Sequence, residues 1–150
     1  MSAATSLRFF RSPEAVDAGV TLGSPRPGDA GFDLPTLSAI TLAPGEMCLL
    51  RTGLHVEIPQ TWVGIVRDRS SVALRGGAVT AGVIDSSYRG EIKIVMHNLG
   101  REPLIFSAGD RVAQLLVVPH LTAAGLSEVS SRAELDSTTR DQSGFGSTGS

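Results

Sequence analysis

Short apolar runs that alternate with polar positions recur along the chain. In the clearest run, residues 91–97, Ile92, Ile94 and Met96 occupy every second position. This period of two is typical of a strand with one buried face. Runs at 47–50, 62–66 and 111–118 predict further strands, and glycines and prolines separate them at short intervals. The pattern predicts an all-β protein, a sandwich or barrel of short strands.

One stretch, residues 71–74, predicts a short helix, with Ser70 as its N-cap and Gly76 as its stop. The character of the chain changes near residue 125, after which Ser, Thr, Asp and Gly predominate. A segment with so few apolar residues cannot bury enough surface to fold alone. We therefore expect one domain, with a β core over residues 1–124 and a flexible arm over 125–150.

Composition narrows the possible functions and locations. The chain has 150 residues, 41% hydrophobic and 19% charged, which indicates a globular domain. Its net charge of -2 offers no electrostatic basis for binding nucleic acid or an anionic membrane. A single cysteine excludes an intrachain disulfide, and no apolar run approaches a membrane span or signal peptide. We expect a cytoplasmic protein, with a nucleus or organelle as the alternative.

Three segments carry side chains suited to binding phosphate or metal, although each also has an ordinary structural explanation. Two aspartates flank a tight turn at 29–33, as in a solvated loop. The Arg-Ser-Ser sequence at 69–71 begins the predicted helix, where free N–H groups attract anions, but a capped helix explains it equally well. Gln114 interrupts an apolar strand, so its amide either satisfies backbone groups or reaches a ligand.

Two further segments contain the chain's most distinctive chemistry. Residues 82–90 read as a β-hairpin that carries Asp85 and the only tyrosine, Tyr88. Alone, they also fit a plain turn and a tyrosine whose hydroxyl is paired in the core. Near the C-terminus, glycines surround Phe145 downstream of Arg140, which combines a base-stacking ring with a phosphate-binding cation. Alone, this segment fits a frayed tail.

In order and spacing, the five segments resemble the five motifs of the trimeric dUTPase family, over about four-fifths of the chain. The matching segments are 30–34, 69–71, 82–90, 109–116 and 140–149. The resemblance implies a jelly-roll-like, all-β homotrimer whose active sites are shared between subunits and closed by a mobile C-terminal arm. It implies hydrolysis of dUTP to dUMP and pyrophosphate, which limits uracil incorporation into DNA and supplies dUMP for dTTP synthesis.

The resemblance also assigns roles within the hairpin. Asp85 would orient and deprotonate the water that attacks the α-phosphorus, which requires a carboxylate within hydrogen-bond reach. The backbone of Gly82, Val83 and Ile84 would recognise the edge of uracil. Tyr88 would lie against the deoxyribose and exclude a ribose 2′-hydroxyl. Lys93 aligns with a position near the base pocket.

Other motif residues would bind the triphosphate. Ser70 and Gln114 would contact the phosphate chain, with Arg69 and Ser71 framing the site. Mg²⁺ would be held mainly by phosphate oxygens and waters, with Asp33 as an outer-shell anchor. From the arm, Phe145 would stack on uracil, and the phosphate-binding residues would be Arg140, Gly146, Ser147 and Thr148.

The sequence departs from the family pattern at two places. Asp141 and Gln142 follow Arg140 where family members more often carry glycine and a small or polar residue. A carboxylate beside this arginine would weaken binding of the triphosphate. The linker before the hairpin is also short and lacks an asparagine, so the backbone of residues 79–81 would have to complete the base pocket.

Two alternatives compete with dUTP hydrolysis. A dCTP deaminase of the same superfamily, alone or bifunctional, would need a glutamate near the base, and Glu91 is the only nearby one. An inactive trimer used for binding or regulation would be expected to have broken motifs. Asp85, Tyr88, Arg140 and Phe145 are all present, which favours the hydrolase.

Overall fold

The computed structural model describes residues 6–137, which contain ten β-strands and two short α-helices. In chain order these are β1 (Arg8–Arg11), α1 (Pro13–Asp17), β2 (Gly31–Pro35), β3 (Ile40–Leu42), β4 (Met47–Glu57), β5 (Trp62–Asp68), α2 (Ser70–Ala73), β6 (Gly77–Ala81), β7 (Val83–Ile84), β8 (Glu91–Asn98), β9 (Leu104–Phe106) and β10 (Arg111–Pro119). The predicted all-β class is confirmed. No helix within residues 6–137 is long and apolar enough to cross a membrane.

The strands form antiparallel sheets. One four-stranded sheet has the order β1-β4-β8-β6, a second has the order β2-β10-β5-β7, and β3 pairs with β9. This arrangement is a jelly-roll-like sandwich. Strand β7 lies at an edge of the second sheet, so within that sheet one side of its backbone has no paired strand.

Alternation along the strands builds the core. In β8, Ile92, Ile94 and Met96 are fully buried, whereas Lys93 between them is exposed. These residues belong to one apolar cluster that also includes Val112 and Leu115 of β10. The hydrophobic effect thus fixes which face of the strand is turned inward. Asn98, at the end of β8, is a buried polar exception whose Nδ2 donates to the carbonyls of Leu42 and Glu102.

The predicted strands lie where the structure has strands, but each observed strand is longer than predicted. The run predicted at 47–50 continues to Glu57, because the register with β8 shifts between Arg51 and His55 rather than ending. Gly53 lies within this irregularity with φ of 65°, and an added Cβ there would approach Ala15 to 2.7 Å. Glycine therefore allows the strand to continue where the chain bends against α1.

The sequence predicts one helix, whereas the described residues contain two α-helices, and the predicted one has different ends. Helix α1 was missed, although Ser12 caps it by accepting a hydrogen bond from the Ala15 N–H at 3.2 Å. Helix α2 covers Ser70–Ala73, with Arg69 rather than Ser70 at the N-cap. The carbonyl of Arg69 accepts the first helical N–H groups, so the helix begins one residue earlier. Gly76, with φ of 93°, follows its end as expected.

The chain divides into two compact units, residues 1–120 and 121–150. The described part of the second unit, residues 121–137, contains the 3₁₀ turns Ala123–Gly125 and Arg132–Glu134. Ser131 and Glu134 form a reciprocal capping box around the second turn. The assignment of one domain with a flexible arm from about residue 125 stays a prediction.

Candidate functional site

Five of the predicted site residues come together around one cavity of about 350 Å³, here called the arginine–serine cavity. They are Asp33, Arg69, Ser70, Ser71 and Gln114, and the remaining lining residues are Ser24, Pro25, Arg26, Asp29, Ala30, Gly31 and Arg111. Three arginines and two aspartates therefore line the cavity, a net charge of +1. Together with the serine hydroxyls, this suits an anion such as a phosphate chain.

Asp33 organises the arginines of this cavity. Its Oδ1 lies 2.8 Å from Nε of Arg69, and its Oδ2 accepts a hydrogen bond from Nη1 of Arg111 at 3.1 Å. Arg69 also donates from Nη1 to the carbonyl of Arg111, at 3.1 Å. The Asp33 and Arg69 side chains are only about a quarter exposed, so solvent competes weakly with the pair. The Arg69 guanidinium is thus held in place before any ligand binds, whereas Arg111, whose side chain is 60% exposed, is tethered through Nη1 alone.

The Gln114 side chain forms a hydrogen bond with the backbone and also lines the cavity. On β10 it lies opposite Asp33 of β2 and Arg67 of β5. Its Nε2 donates to the carbonyl of Asp68 at 2.7 Å, and the residue is partly exposed. The two explanations weighed for this amide are therefore compatible: one hydrogen bond fixes the side chain, and the fixed side chain borders the cavity.

A second cavity of about 230 Å³, the hairpin cavity, is lined by Val83, Ile84, Asp85, Tyr88, Glu91 and Lys93. Asp85 follows edge strand β7 and is exposed. Within residues 6–137, no hydrogen bond or ion pair engages its carboxylate. That carboxylate therefore remains available to accept a proton or to orient a water molecule.

The turn that carries Asp85 is fastened by its own backbone and by one arginine. The N–H of Tyr88 donates to the carbonyl of Asp85 at 3.0 Å. Arg89 donates from Nη1 to the carbonyls of Ser86 and Tyr88, at 2.7 and 2.9 Å. The carbonyl of Arg89 in turn accepts from Nδ1 of His55 on β4, at 2.9 Å. These hydrogen bonds fix the backbone positions of Asp85 and Tyr88.

Tyr88 is not a core residue. Its side chain is 43% exposed, and its hydroxyl donates to the carbonyl of Glu91 at 3.0 Å. The hydroxyl is paired, as expected of a lone tyrosine, but the ring borders the hairpin cavity instead of the interior. An exposed ring held by its hydroxyl can act as a rigid wall for a ligand.

Glu91 is committed to structural contacts. Its Oε1 accepts a hydrogen bond from the Gly53 N–H at 2.8 Å, and its Oε2 lies 3.1 Å from Nε of Arg51. Burial acts to raise the pKa of Glu91, but the Gly53 hydrogen bond, Arg51 and Lys93 outweigh it, so the pKa lies below its ordinary value. An ionised, fully engaged carboxylate is poorly placed to shuttle protons.

The described residues therefore bring the predicted site together in two groups rather than one. The arginine–serine cavity and the hairpin cavity share no lining residue. Gly82 borders neither; its carbonyl accepts a hydrogen bond from the Val66 N–H at 3.0 Å. Residues 79–81 end β6 and do not line the hairpin cavity, and the Val79 N–H donates to the carboxylate of Asp68. Arg140, Phe145, Gly146, Ser147 and Thr148 lie outside the described residues.

Sequence reasoning missed Arg111. It follows a Gly-Asp turn at the start of β10, and nothing local distinguishes it from a surface cation. Its contact with Asp33 depends on the pairing of β10 with β2, which are distant in sequence. The one available signal was the position of Arg111 inside the segment 109–116, which resembles a family motif.

Comparison with known proteins gives a consistent result. The chain matches the dUTPase family model over residues 20–149. It is 48% identical over 125 residues to a deoxyuridine 5'-triphosphate nucleotidohydrolase of Anaeromyxobacter sp., covering 81% of this chain and 82% of that protein. It is 44% identical over 152 residues to the one from Mycobacterium leprae, covering 97% and 96%.

The fold has a matching counterpart among solved structures. The dUTPase of Staphylococcus bacteriophage 80alpha, solved with dUPNHPP, superposes with a TM-score of 0.79 at 26% identity. The match covers 97% of this chain and 99% of that one.

Proposed function

The chain belongs to the dUTPase family, and from this premise we propose that it hydrolyses dUTP to dUMP and pyrophosphate at a site that different subunits build together. The assignment of residues rests on one observation, which concerns the environment of the Asp85 carboxylate. It is exposed, borders the hairpin cavity beside Tyr88, and has no partner within residues 6–137. Arg89 holds the backbone around it, so its position is defined before substrate arrives.

Asp85 acts as the general base. Its carboxylate accepts a proton from water as the water oxygen bonds to the α-phosphorus. The bond between that phosphorus and the oxygen bridging to the β-phosphorus breaks, and pyrophosphate leaves with the electron pair. Phosphoryl transfer depends mainly on positioning and charge neutralisation, so the fixed turn contributes more than the basicity of the carboxylate.

Base and sugar are recognised beside Asp85. Strand β7 is an edge strand, and its backbone donors and acceptors can pair with the uracil edge as they would with a further strand. Tyr88 lies against the deoxyribose and leaves no room for a 2′-hydroxyl. Lys93, which borders the same cavity, lies near the base.

The phosphates bind in the arginine–serine cavity of a neighbouring subunit, through Arg69, Ser70, Ser71 and Gln114. The net charge of that cavity and its fixed Arg69 guanidinium support this role. From the arm, Phe145 stacks on uracil, and the terminal phosphates are bound by Arg140, Gly146, Ser147 and Thr148. The separation of the two cavities within one chain is the reason to assign a shared site, and a homotrimer is the assembly we propose.

Magnesium is the proposed cofactor. No cluster of three metal-ligating side chains occurs within residues 6–137, and the aspartates lining the arginine–serine cavity are Asp29 and Asp33. This donor set fits an ion that keeps its waters and binds mainly through phosphate oxygens. When bound, the ion neutralises charge on the triphosphate. Asp33, which holds Arg69, would accept a hydrogen bond from a water on that ion.

The geometry of Glu91 argues against the deaminase alternative. That reaction needs a carboxylate free to move protons at the base, and both oxygens of Glu91 are engaged by Gly53 and Arg51. The binding-only alternative predicts a disrupted hairpin, whereas Asp85 and Tyr88 both border its cavity.

The test is release of pyrophosphate from a panel of nucleotides with magnesium. We expect rapid release from dUTP and almost none from dCTP, dTTP or UTP. Equal turnover of UTP would overturn the role of Tyr88. Release of ammonia from dCTP would support the deaminase, and inactivity towards all four nucleotides would support the binding-only protein.

A further inference from the structure

Gly90 lies directly against the ring of Tyr88. A Cβ placed with ideal geometry on Gly90 would lie 2.3 Å from Oη, 2.4 Å from Cζ and 2.8 Å from Cε2 of that ring. Ordinary contacts of a Cβ are 3.4 Å or longer. The ring of Tyr88 therefore occupies the space that a side chain at position 90 would need.

Backbone conformation does not explain glycine at this position. Gly90 is not among the glycines with positive φ, so an L-residue can adopt its conformation. A Cβ on Gly82, in the same hairpin, would meet open space, whereas one on Gly100 would meet the backbone of Arg75 and Gly76 and Oδ1 of Asn98. At Gly90 the confinement comes from one side chain, that of Tyr88.

The ring of Tyr88 is consequently held from two directions. Its hydroxyl donates to the carbonyl of Glu91, and its Oη, Cζ and Cε2 atoms lie beside Gly90, where the absence of a side chain leaves room for them. Glu91 is itself fixed by Gly53 and Arg51. The position of the ring is thus set by neighbours that are already anchored to β4.

We propose that Gly90 is a specificity-determining residue that sets the depth of the sugar subsite by letting Tyr88 lie back against the main chain. The inference rests on the proposed function, in which Tyr88 contacts the deoxyribose. Tyr88 lines the hairpin cavity and Gly90 does not, so Gly90 would act on the cavity through the ring. A methyl group at position 90 requires the ring to move, and we expect it to move towards the cavity that it lines.

The first experiment compares Gly90→Ala with the unmodified protein. We expect KM for dUTP to rise about 10-fold while kcat changes less, because the ring contacts the sugar in both ground and transition states. The matched control is Ala39→Ser, which also adds one heavy atom but lies at an exposed position that lines neither cavity, so KM should not change.

A double-variant cycle separates this effect from general damage. With Tyr88→Ala in the background there is no ring to displace, so Gly90→Ala should change KM by less than about twofold. A rise in KM of equal size in both backgrounds would overturn the proposal.

A spectroscopic measurement tests the proposal without depending on enzymatic activity. Tyr88 is the only tyrosine, so 3-fluorotyrosine gives a single ¹⁹F resonance. We expect Gly90→Ala to shift this resonance and Ala39→Ser to leave it in place. An unshifted resonance in a folded Gly90→Ala protein would overturn the proposal even if its activity fell. If Gly90→Ala does not fold, recovery of folding in the Tyr88→Ala background supports the clash, and failure to recover contradicts it.

The outcomes for Gly90 and for the proposed function are distinguishable. If Tyr88→Ala leaves the preference for dUTP over UTP unchanged, the proposed role of Tyr88 is wrong. If Tyr88→Ala reduces that preference but Gly90→Ala changes neither KM nor the ¹⁹F resonance, only the role of Gly90 is wrong.

Discussion

Asp33 and Arg69 form an ion pair that joins strand β2 to the start of helix α2, with Oδ1 of the aspartate 2.8 Å from Nε of the arginine. The second carboxylate oxygen holds Arg111 of β10. One carboxylate thus orders cations from two other segments around the arginine–serine cavity. In the proposed phosphate site, this carboxylate would aim the two guanidinium groups.

Asp33→Asn tests this role. An amide of the same shape cannot pair with two guanidinium groups, so Arg69 loses its fixed orientation and Arg111 its tether. We expect unfolding to become easier by about 1–3 kcal/mol and KM for dUTP to rise. Thermal denaturation and steady-state kinetics measure both, with the exposed Asp17→Asn as control. Unchanged stability together with tighter binding would show that Asp33 does not anchor the arginines.

Gly31→Ala tests the position of Gln114. A Cβ on Gly31 would lie 2.5 Å from Oε1 of Gln114, so the amide must turn away from the Asp68 carbonyl that it now binds at 2.7 Å. We expect KM for dUTP to rise by about an order of magnitude. In a Gln114→Ala background the same change should have little further effect. Equal effects in both backgrounds would mean that Gly31 acts through something other than Gln114.

Much of the fold could be predicted because local patterns encode it. Strand β8 follows from the alternation of Ile92, Ile94 and Met96 alone. Helix α1 was equally accessible, since Ser12 before Pro13 is a local capping signal, and it was overlooked. The extension of β4 was less accessible, because it depends on Gly53 packing against a helix.

The site could be predicted only in part, because its chemistry depends on contacts between distant segments. The hairpin at Asp85 is ambiguous when read alone, and the family resemblance gave it a role. The arginine–serine cavity depends on β10 pairing with both β2 and β5, which puts Gln114 beside Asp33. No local pattern around Arg111 reports its contact with Asp33, 78 residues away.

Acidification tests the contacts of Glu91. Its pKa in the folded protein lies below the ordinary value, so its ionised form stabilises the fold. This contribution is complete above about pH 4.5, the ordinary value for a glutamate, and is lost as the pH falls through the lower folded pKa. Glu91→Gln should therefore lower Tm at pH 7, and its difference from the unmodified protein should shrink below about pH 4.

Thermal denaturation between pH 7 and pH 3 measures this difference. The control is Glu128→Gln, at an exposed position. A difference in Tm between the Glu91→Gln and unmodified proteins that stays constant over the whole range would show that the charge of Glu91 contributes nothing to stability.

Asp85→Asn tests the general base. An asparagine keeps the shape and can still orient water, but it cannot accept the proton. We expect turnover of dUTP to fall by about 10²-fold or more while binding of a non-hydrolysable dUTP analogue is retained. Calorimetric titration measures the binding, and Asp17→Asn again serves as control. A nearly normal rate would remove Asp85 from this role.

Deletion of residues 140–150 tests the arm. The buried apolar residues of the described chain lie between Ala15 and Leu115, all outside the deleted segment. The family resemblance assigns to it the stacking of Phe145 on uracil and the grip of Arg140, Ser147 and Thr148 on the terminal phosphates. We expect a folded trimer, by thermal denaturation and light scattering, with strongly reduced turnover of dUTP. The point variant Phe145→Ala should raise KM in the full-length protein without changing its assembly. Loss of folding or of the trimer on deletion would instead make the segment structural, and full activity would exclude it from the site.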